Sequence, residues 1–300
     1  MHFDLADLKV LVHLAEAENL TRGARRAALS PAAVSSRLKG LESQLGTQLF
    51  YREARGLTLT STGERFLHHA RLILRQADVA REDLLGLADG TTGHVRVCAS
   101  TTTISEVLPA VLAEFMGARP DVTVDLQQYS LREVIRAVTD GAADLGLIAE
   151  PVPLKGVHAT TFSVDRLVVV AHSAHALAKR GELRFEETLA YPYVGLLGST
   201  LQQFLLDTAA QAGRPMTVRV MMTSFDAMCR MAEAGVGLCI VPRSTAKRLA
   251  KTMRVNVLTI TDAWSVRERR VIYREFDALP ACAKKLLELL VERSGESGTA

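Results

Sequence analysis

The sequence predicts a chain of three parts: an all-α head, one long helix, and an α/β domain of two lobes. Three observations carry this. Apolar residues in the first 45 positions recur at helical steps in short runs. A longer seam, Phe66, Ala70, Ile73, Ala77, Ala80, Leu84 and Leu87, then steps by four and three without a break. Beyond Asp89–Gly90–Thr91–Thr92–Gly93, strand and helix patterns alternate in two series. With 300 residues, 48% of them hydrophobic, the chain can bury more than one core.

The head is read element by element. Residues 4–18 predict a helix with Leu8, Leu11, Val12 and Ala15 on one side. Asn19 or Thr21 can cap a short second helix over 22–28, and Leu29–Ser30 forms a turn. Ser30 followed by Pro31 is a good start for the third helix, over 30–45. Val34, Leu38, Leu41 and Leu45 share one face of it. Ala32, Ser36, Lys39 and Ser43 fall opposite, with Ser35 and Arg37 on the flanks. Small residues on that face let a backbone approach base edges in a DNA major groove, and the same face would suit plain solvation. Three short helices joined by a tight turn make a helix-turn-helix. Leu49–Phe50–Tyr51 and Leu57–Thr58–Leu59 flank the basic turn Arg52–Glu53–Ala54–Arg55–Gly56 and predict a hairpin, or wing.

Charge supports the DNA reading. Seven cations (Arg22, Arg25, Arg26, Arg37, Lys39, Arg52, Arg55) face two acids between positions 20 and 55, a balance of +5 that leaves −2 for the rest of a +3 chain. A basic head on a mildly acidic body is the electrostatic footprint of a nucleic-acid binder.

Ser61 and Glu64 have capping-box spacing at the start of the long helix. Its seam reads either as a dimer interface or as a face packed on its own domain. No partner helix of similar length follows, which favours dimerisation. The α/β part predicts strands at 95–99, 122–127 and 145–149, with helices at 106–116 and 131–140 between them. A second series has strands at 167–171, 193–196, 218–222 and 238–241 and helices at 201–212 and 226–234. A strand at 269–273, a helix at 281–291 and a disordered tail from 294 complete it.

Several function classes are disfavoured. There is no GxSxG, HExxH or GxxxxGK[ST] pattern, and His68–His69, His172 and His175 are scattered, so no catalytic residue, metal or cofactor is expected. Cys98, Cys229, Cys239 and Cys282 show no CxxC spacing and are expected as buried free thiols, with a redox pair as the lesser reading. The start MHFDLADLK has no basic region leading into an apolar run, and no stretch approaches a membrane span. A cytoplasmic protein is therefore expected, which also counts against a secreted solute-binding protein.

At this point the chain resembles the LysR-type family of bacterial transcriptional regulators. The residues that carry the resemblance are Asp4–Leu5, Leu8, Ala15–Glu16, Leu20–Thr21–Arg22–Gly23–Ala24, Leu29–Ser30–Pro31–Ala32–Ala33–Val34–Ser35, Leu41–Glu42, Leu45–Gly46, Leu49–Phe50, Arg52 and Leu59–Thr60–Ser61–Thr62–Gly63. Further on, Gly141–Ala142–Ala143–Asp144–Leu145–Gly146–Leu147 and Ala234–Gly235–Val236–Gly237–Leu238 with Pro242 look like the family's effector-domain signatures.

The resemblance implies a winged helix-turn-helix over 1–60, a dimerising linker helix over 61–89 and an effector-binding domain over 90–300. That domain would be like a periplasmic binding protein, with lobe 1 at about 93–163 and 267–293 and lobe 2 at about 164–266. The chain would cross between lobes near 162–164 and 264–267. Double-stranded DNA at an inverted repeat, a second copy or a tetramer, a small metabolite and RNA polymerase are the implied partners. Thr21, Arg22, Ala32, Ser35, Ser36, Lys39, Arg52 and Arg55 are the DNA-binding candidates. One departure stands out. Where family members often place Gln and then Arg on the recognition helix, this chain has Pro31 and Ser36, so Arg55 in the wing and DNA shape are expected to carry more of the specificity.

Helix starts after strands supply the effector candidates. Ser100–Thr101–Thr102–Thr103 in one lobe, and Gly198–Ser199–Thr200 and Thr223–Ser224 in the other, offer hydroxyls and free N–H groups. Each could be an ordinary cap. The resemblance narrows them to Ser100, Thr101, Thr102, Thr200 and Ser224, with Phe162 near the hinge. A small carboxylate is the implied ligand, although no Arg or Lys stands out in the sequence to clamp it.

Overall fold

The computed structural model describes residues 3–53, 56–84, 89–149 and 152–297. The head begins with α1 (Leu5–Ala17), where Asp4 and Asp7 form a reciprocal cap and Glu18 closes the helix at φ 50°. Asn19, rather than Thr21, caps α2 (Leu20–Arg26), its Oδ1 accepting from the N–H groups of Thr21 and Arg22. After a left-handed Ala28, Ser30 Oγ accepts from Ala33 N and starts α3 (Pro31–Leu45). Leu8, Leu11, Leu14, Ala24, Val34, Leu38 and Leu41 form the core that sets α3 across α1.

The wing is β1 (Phe50–Glu53) paired with β2 (Gly56–Leu59), in register Phe50↔Leu59 to Glu53↔Gly56. Next comes α4 (Ser61–Leu84), and its start differs from the sequence reading. Thr60, not Ser61, is the cap: its Oγ1 accepts from Gly63 N and donates to Gln48 O, both at 2.9 Å. The hydroxyl one residue earlier wins because it also ties the helix start to the loop before β1. Gly63 is required there, since a Cβ would lie 2.0 Å from Leu49 O.

In the α/β domain, β3 (Thr92–Ala99) leads into α5 (Thr101–Glu106) and then α6 (Leu108–Gly117). The helix expected at 106–116 is α6, which starts at Leu108 because Pro109 fits only a first helical turn; the short α5 precedes it across Val107. Then come β4 (Asp121–Gln128), α7 (Leu131–Thr139) and β5 (Leu145–Ile148). The long β6 (His158–His172) follows, with β7 (Glu182–Leu183), α8 (Phe185–Thr188), β8 (Tyr193–Leu196) and α9 (Thr200–Gln211) after it. The series continues through β9 (Val218–Met222), α10 (Phe225–Glu233), β10 (Cys239–Pro242), α11 (Arg243–Leu249) and β11 (Val255–Ile260). The last elements are β12 (Val266–Tyr273) and α12 (Ala281–Ser297). The tail expected to be disordered from 294 is therefore helical to Ser297.

Two lobes arise because β6 is long enough to serve both. The strands β4, β3 and β5 run parallel, and β12 and the first part of β6 extend that sheet antiparallel. From Leu167 onward β6 pairs instead with β10 and β11, and the parallel pair β8–β9 lies beside β10. Each lobe has its own core, centred on Phe115, Leu145 and Leu286 in lobe 1 and on Val169, Tyr193 and Ile240 in lobe 2.

Candidate nucleic-acid interface and effector cleft

On α3 the two faces separate as their chemistry demands. Val34, Leu38 and Leu41 are buried; Ala32, Ser36, Lys39 and Ser43 are exposed and Ser35 is half-buried. Arg37 leaves this surface. Its guanidinium turns to α1, 2.7 Å from Asp7 and 3.5 Å from Asp4. The Asp7 N–H and then Arg37 hold the Asp4 carboxyl below its ordinary value. Arg26 is drawn to Glu16 at 3.4 Å. Among the described residues Arg22, Arg25 and Lys39 are exposed cations with no ion pair, and Thr21 lies exposed beside Arg22 at the start of α2. The side chain of Arg52 and the whole of Arg55 lie outside the described residues, so the wing's expected role has no geometry here.

The seam of α4 divides. Phe66 and Ala70 pack into the head's own core, which is the alternative the sequence reading placed second. Further along, Ile73 and Ala80 are exposed and Ala77 is half-buried, leaving one apolar stretch without a partner among the described residues. The side chain of Leu84 and all of Leu87 lie outside them.

The cleft is built where strands from both lobes end. Ser100 follows β3; its N–H donates to Leu147 O at 3.3 Å and its Oγ lies 3.3 Å from Thr103 Oγ1. Thr101 and Thr102 start α5, their side chains outside the described set. In lobe 2, Ser199 rather than Thr200 caps α9, accepting from Gln202 N, and Thr200 is the first helical residue. Ser224 is exposed and caps α10, accepting from Ala227 N at 3.2 Å. Ser199 and Ser224 are thus N-caps in their own right, and the O–H of each is left to donate. Phe162 lies on the crossing strand with its ring packed in lobe 1's core beside Val111 and Leu290, and it lines a pocket of about 300 Å³ between the lobes with Asp165, Ser244 and Arg269.

The sequence reading missed the cationic groups of the cleft. Arg267 and Arg269 alternate along β12 and are both buried. Arg267 Nε donates to Ala149 O at 3.1 Å, and its guanidinium lies 4.8 Å from the Phe204 ring centre. Arg269 pairs with Asp165 at 2.9 Å. With Ala149, Leu167, Leu201 and Pro242 they enclose a cavity of about 20 Å³ between the lobes. Trp264, the chain's one tryptophan, sits at the second crossing, edge-on to Phe185 and Phe204. The available signal was a strand whose alternate positions, 267 and 269, carry charge on the side that a crossing strand must bury.

All four cysteines are free and buried. Burial, then Asp144, pushes the Cys98 thiol up to about 12. Cys229 and Cys239 have sulfurs 4.0 Å apart in lobe 2's core, and the contact with Cys229, reinforced by burial, raises the Cys239 thiol well above its ordinary value. Protonated, solvent-shielded thiols are poor nucleophiles. Among the described residues no group of three His, Cys, Asp or Glu is placed to hold a metal, and no helix is long and apolar enough to cross a membrane.

Comparison with known proteins agrees with this anatomy. Residues 5–64 match the bacterial regulatory helix-turn-helix protein, lysR family, and residues 88–295 match the LysR substrate binding domain. The transcriptional dual regulator GltC of Bacillus subtilis is 28% identical over 249 residues, covering 81% of each chain. A probable RuBisCO transcriptional regulator of Synechocystis is 28% identical over 280 residues, which is 90% of this chain and 79% of that one. A full-length OxyR variant from Pseudomonas aeruginosa has the same fold, with TM-score 0.77 at 20% identity over 98% of this chain and 95% of that one. Full-length CbnR solved with its target DNA aligns at TM-score 0.55 and 22% identity, over 97% of this chain and all of the other. The chain belongs to the LysR family of DNA-binding transcriptional regulators.

Proposed function

We propose that two copies of this chain read an inverted repeat in duplex DNA, each laying the Ala32, Ser36 and Lys39 face of α3 in a major groove, with Ser35 at its flank. The observation that carries this is the split on α3: Arg37 is consumed by α1, while small side chains and one unpaired lysine are left outward. Thr21 and Arg22 at the start of α2 are set to meet phosphate. The face of α4 that carries exposed Ile73 and Ala80 and half-buried Ala77 supplies the contact between copies, as a dimer or as part of a tetramer. That CbnR was solved on its target DNA supports the reading, because the chain shares its fold. RNA polymerase is the further partner of such a regulator, and the setting is the cytoplasm. The chain works by binding, not by catalysis.

The second half of the reading is a small carboxylate held between the lobes. Three arginines (Arg166, Arg267, Arg269) and one acid (Asp165) line the cavity between the lobes, a positive balance; at about 20 Å³ it has room for roughly one water, so an organic acid enters only as the lobes part. The helix starts at Ser100–Thr102, Thr200 and Ser224 add N–H and hydroxyl donors. Isothermal titration of the full chain against short organic acids and their amides tests this. Heat with acids only is expected; heat with the amides only overturns the carboxylate assignment. For the DNA half, affinity for duplex must fall steeply with salt, whereas a plain solute-binding protein would show no such binding.

A further inference from the structure

A second stripe on α4, besides its dimer seam, faces lobe 1 of the same chain. Glu64, His68, Leu72, Arg75 and Val79 step by four, four, three and four, so they share one helix face. Glu64 is 3.4 Å from Arg136 and His68 Nδ1 is 3.5 Å from Asp140, pairs open to solvent and screened by it. Leu72 packs at Gly141, where φ is +67° and a Cβ would come within 2.9 Å of the Leu72 methyl. Beside Leu72 lies a pocket of about 60 Å³, lined by Arg75 and Gln76 of α4 and by Arg96, Asp144, Arg274 and Glu275 of lobe 1.

The cations of this pocket exceed what its acids hold. Asp144, whose side chain is 3% exposed, is committed within lobe 1: it accepts from Arg96 N at 2.8 Å and from Arg96 Nη2 at 3.0 Å. Arg75 Nη2 stands 3.0 Å from Asp144 Oδ1, yet it is buried and makes no hydrogen bond. Arg274 is half-buried and has no ion pair among the described residues. Glu275, the other acid, is exposed and lies 3.9 Å from His158. Arg71, one turn before Arg75, packs beside Gly141, and its Nε is likewise buried without a hydrogen bond. Burial holds Arg71 below the ordinary guanidinium range; Glu16 and Asp140 oppose this, and Arg96 adds to it. A buried donor left without an acceptor is costly, so the pocket calls for a ligand that brings oxygens and negative charge together.

We propose that this pocket binds a tetrahedral oxyanion of the phosphate or sulfate class, held by Arg75 of the linker helix and by Arg96 and Arg274 of lobe 1. Planar guanidinium forks offer paired N–H donors that match the edges of such an anion. The volume of about 60 Å³ has room for roughly four waters, which one four-oxygen anion replaces while giving the Arg75 donor its acceptor. The donors come from both α4 and lobe 1, so the complete site exists only while the two lie together as here. The anion therefore favours this placement over any other that the junction takes up, and ties its own concentration to the position of the DNA-reading head. The site is separate from the cleft between the lobes and does not rest on that reading.

Isothermal titration and thermal melting of the full chain test this, with inorganic phosphate, sulfate, glycerol 3-phosphate and, as a screening control, chloride at matched ionic strength. The tetrahedral anions are expected to bind and to raise the melting temperature, and chloride is not. Glycerol 3-phosphate binding as tightly as phosphate assigns the site to the phosphoryl group of a metabolite; phosphate or sulfate alone assigns it to the inorganic ion. Arg75→Met and Arg274→Met are each expected to weaken binding about tenfold or more, while Arg166→Met, in the cleft, leaves it unchanged. Asp144 keeps Arg96 in the first variant, and Arg274 has no described ion pair to lose in the second, so both stay folded. Neither heat nor stabilisation with any tetrahedral anion, an equal effect of chloride, or binding that survives both substitutions overturns the site. Binding lost in Arg166→Met alone puts the anion in the cleft and overturns it as well.

Discussion

The cations of the head and those of the cleft are the same residue types used in opposite ways. Arg22, Arg25 and Lys39 are exposed and have no ion pair among the described residues, whereas Arg267 and Arg269 are buried and already engaged. An exposed cation stays hydrated until it meets a phosphate and displaces the counterions condensed there, so its energy is spent only on binding. A buried arginine must be satisfied in the folded state, so removing it strands its partner and costs stability before any ligand arrives. The two regions should therefore answer to different measurements.

The largest expected effect comes from the buried side. Arg269→Met leaves Asp165 without its guanidinium and should cost roughly 3–5 kcal/mol, read as a lower melting temperature of the α/β domain. A loss below about 1 kcal/mol would mean that Ser244 and solvent satisfy Asp165 unaided. Gly63→Val comes next. It pushes a side chain against the Leu49 carbonyl and should cost the head about 1–3 kcal/mol by overpacking, leaving the α/β domain's transition in place. Ser30→Ala removes the cap of α3 and should cost about 1 kcal/mol, with DNA affinity falling because the helix start carries the reading face.

Acid should weaken the head gradually. The Asp4 carboxyl is held low by the Asp7 N–H and Arg37, so its contribution is complete above the unfolded carboxylate value and is lost as pH falls through the lower folded value. A head whose melting temperature rises on acidification would contradict that sign. The smallest effect is an absence: a thiol reagent at pH 8 should leave the native chain unlabelled and modify four cysteines after denaturation. Fast labelling of Cys229 or Cys239 in the native chain would revive the redox reading.

The contrast also explains what could be read in the sequence. Helix periods, Ser30–Pro31 and the basic turn are local, so α1 to α4 and the wing were legible residue by residue. The candidate cleft was not, because its members come together from 149, 201, 242 and 267, through β6, which changes partners along its length. Val255–Ile260 was missed as a strand because its pairing with β6 is wholly non-local. The start of α6 at Leu108 and the cap at Thr60 turn on a proline ring and on the Gln48 carbonyl, which spacing alone does not weigh. The α4 seam was correctly periodic but wrongly uniform: two of its positions face the head, and a second stripe faces lobe 1.

The most direct test of the account is selection of duplexes from a random library by the full chain at fixed salt. Enrichment of an inverted repeat is predicted. It should be abolished by Ser36→Glu, which sets a carboxylate on the groove-facing side of α3, and retained by Arg267→Met. No enriched motif, or one that survives Ser36→Glu unchanged, would contradict the assignment of that face to DNA.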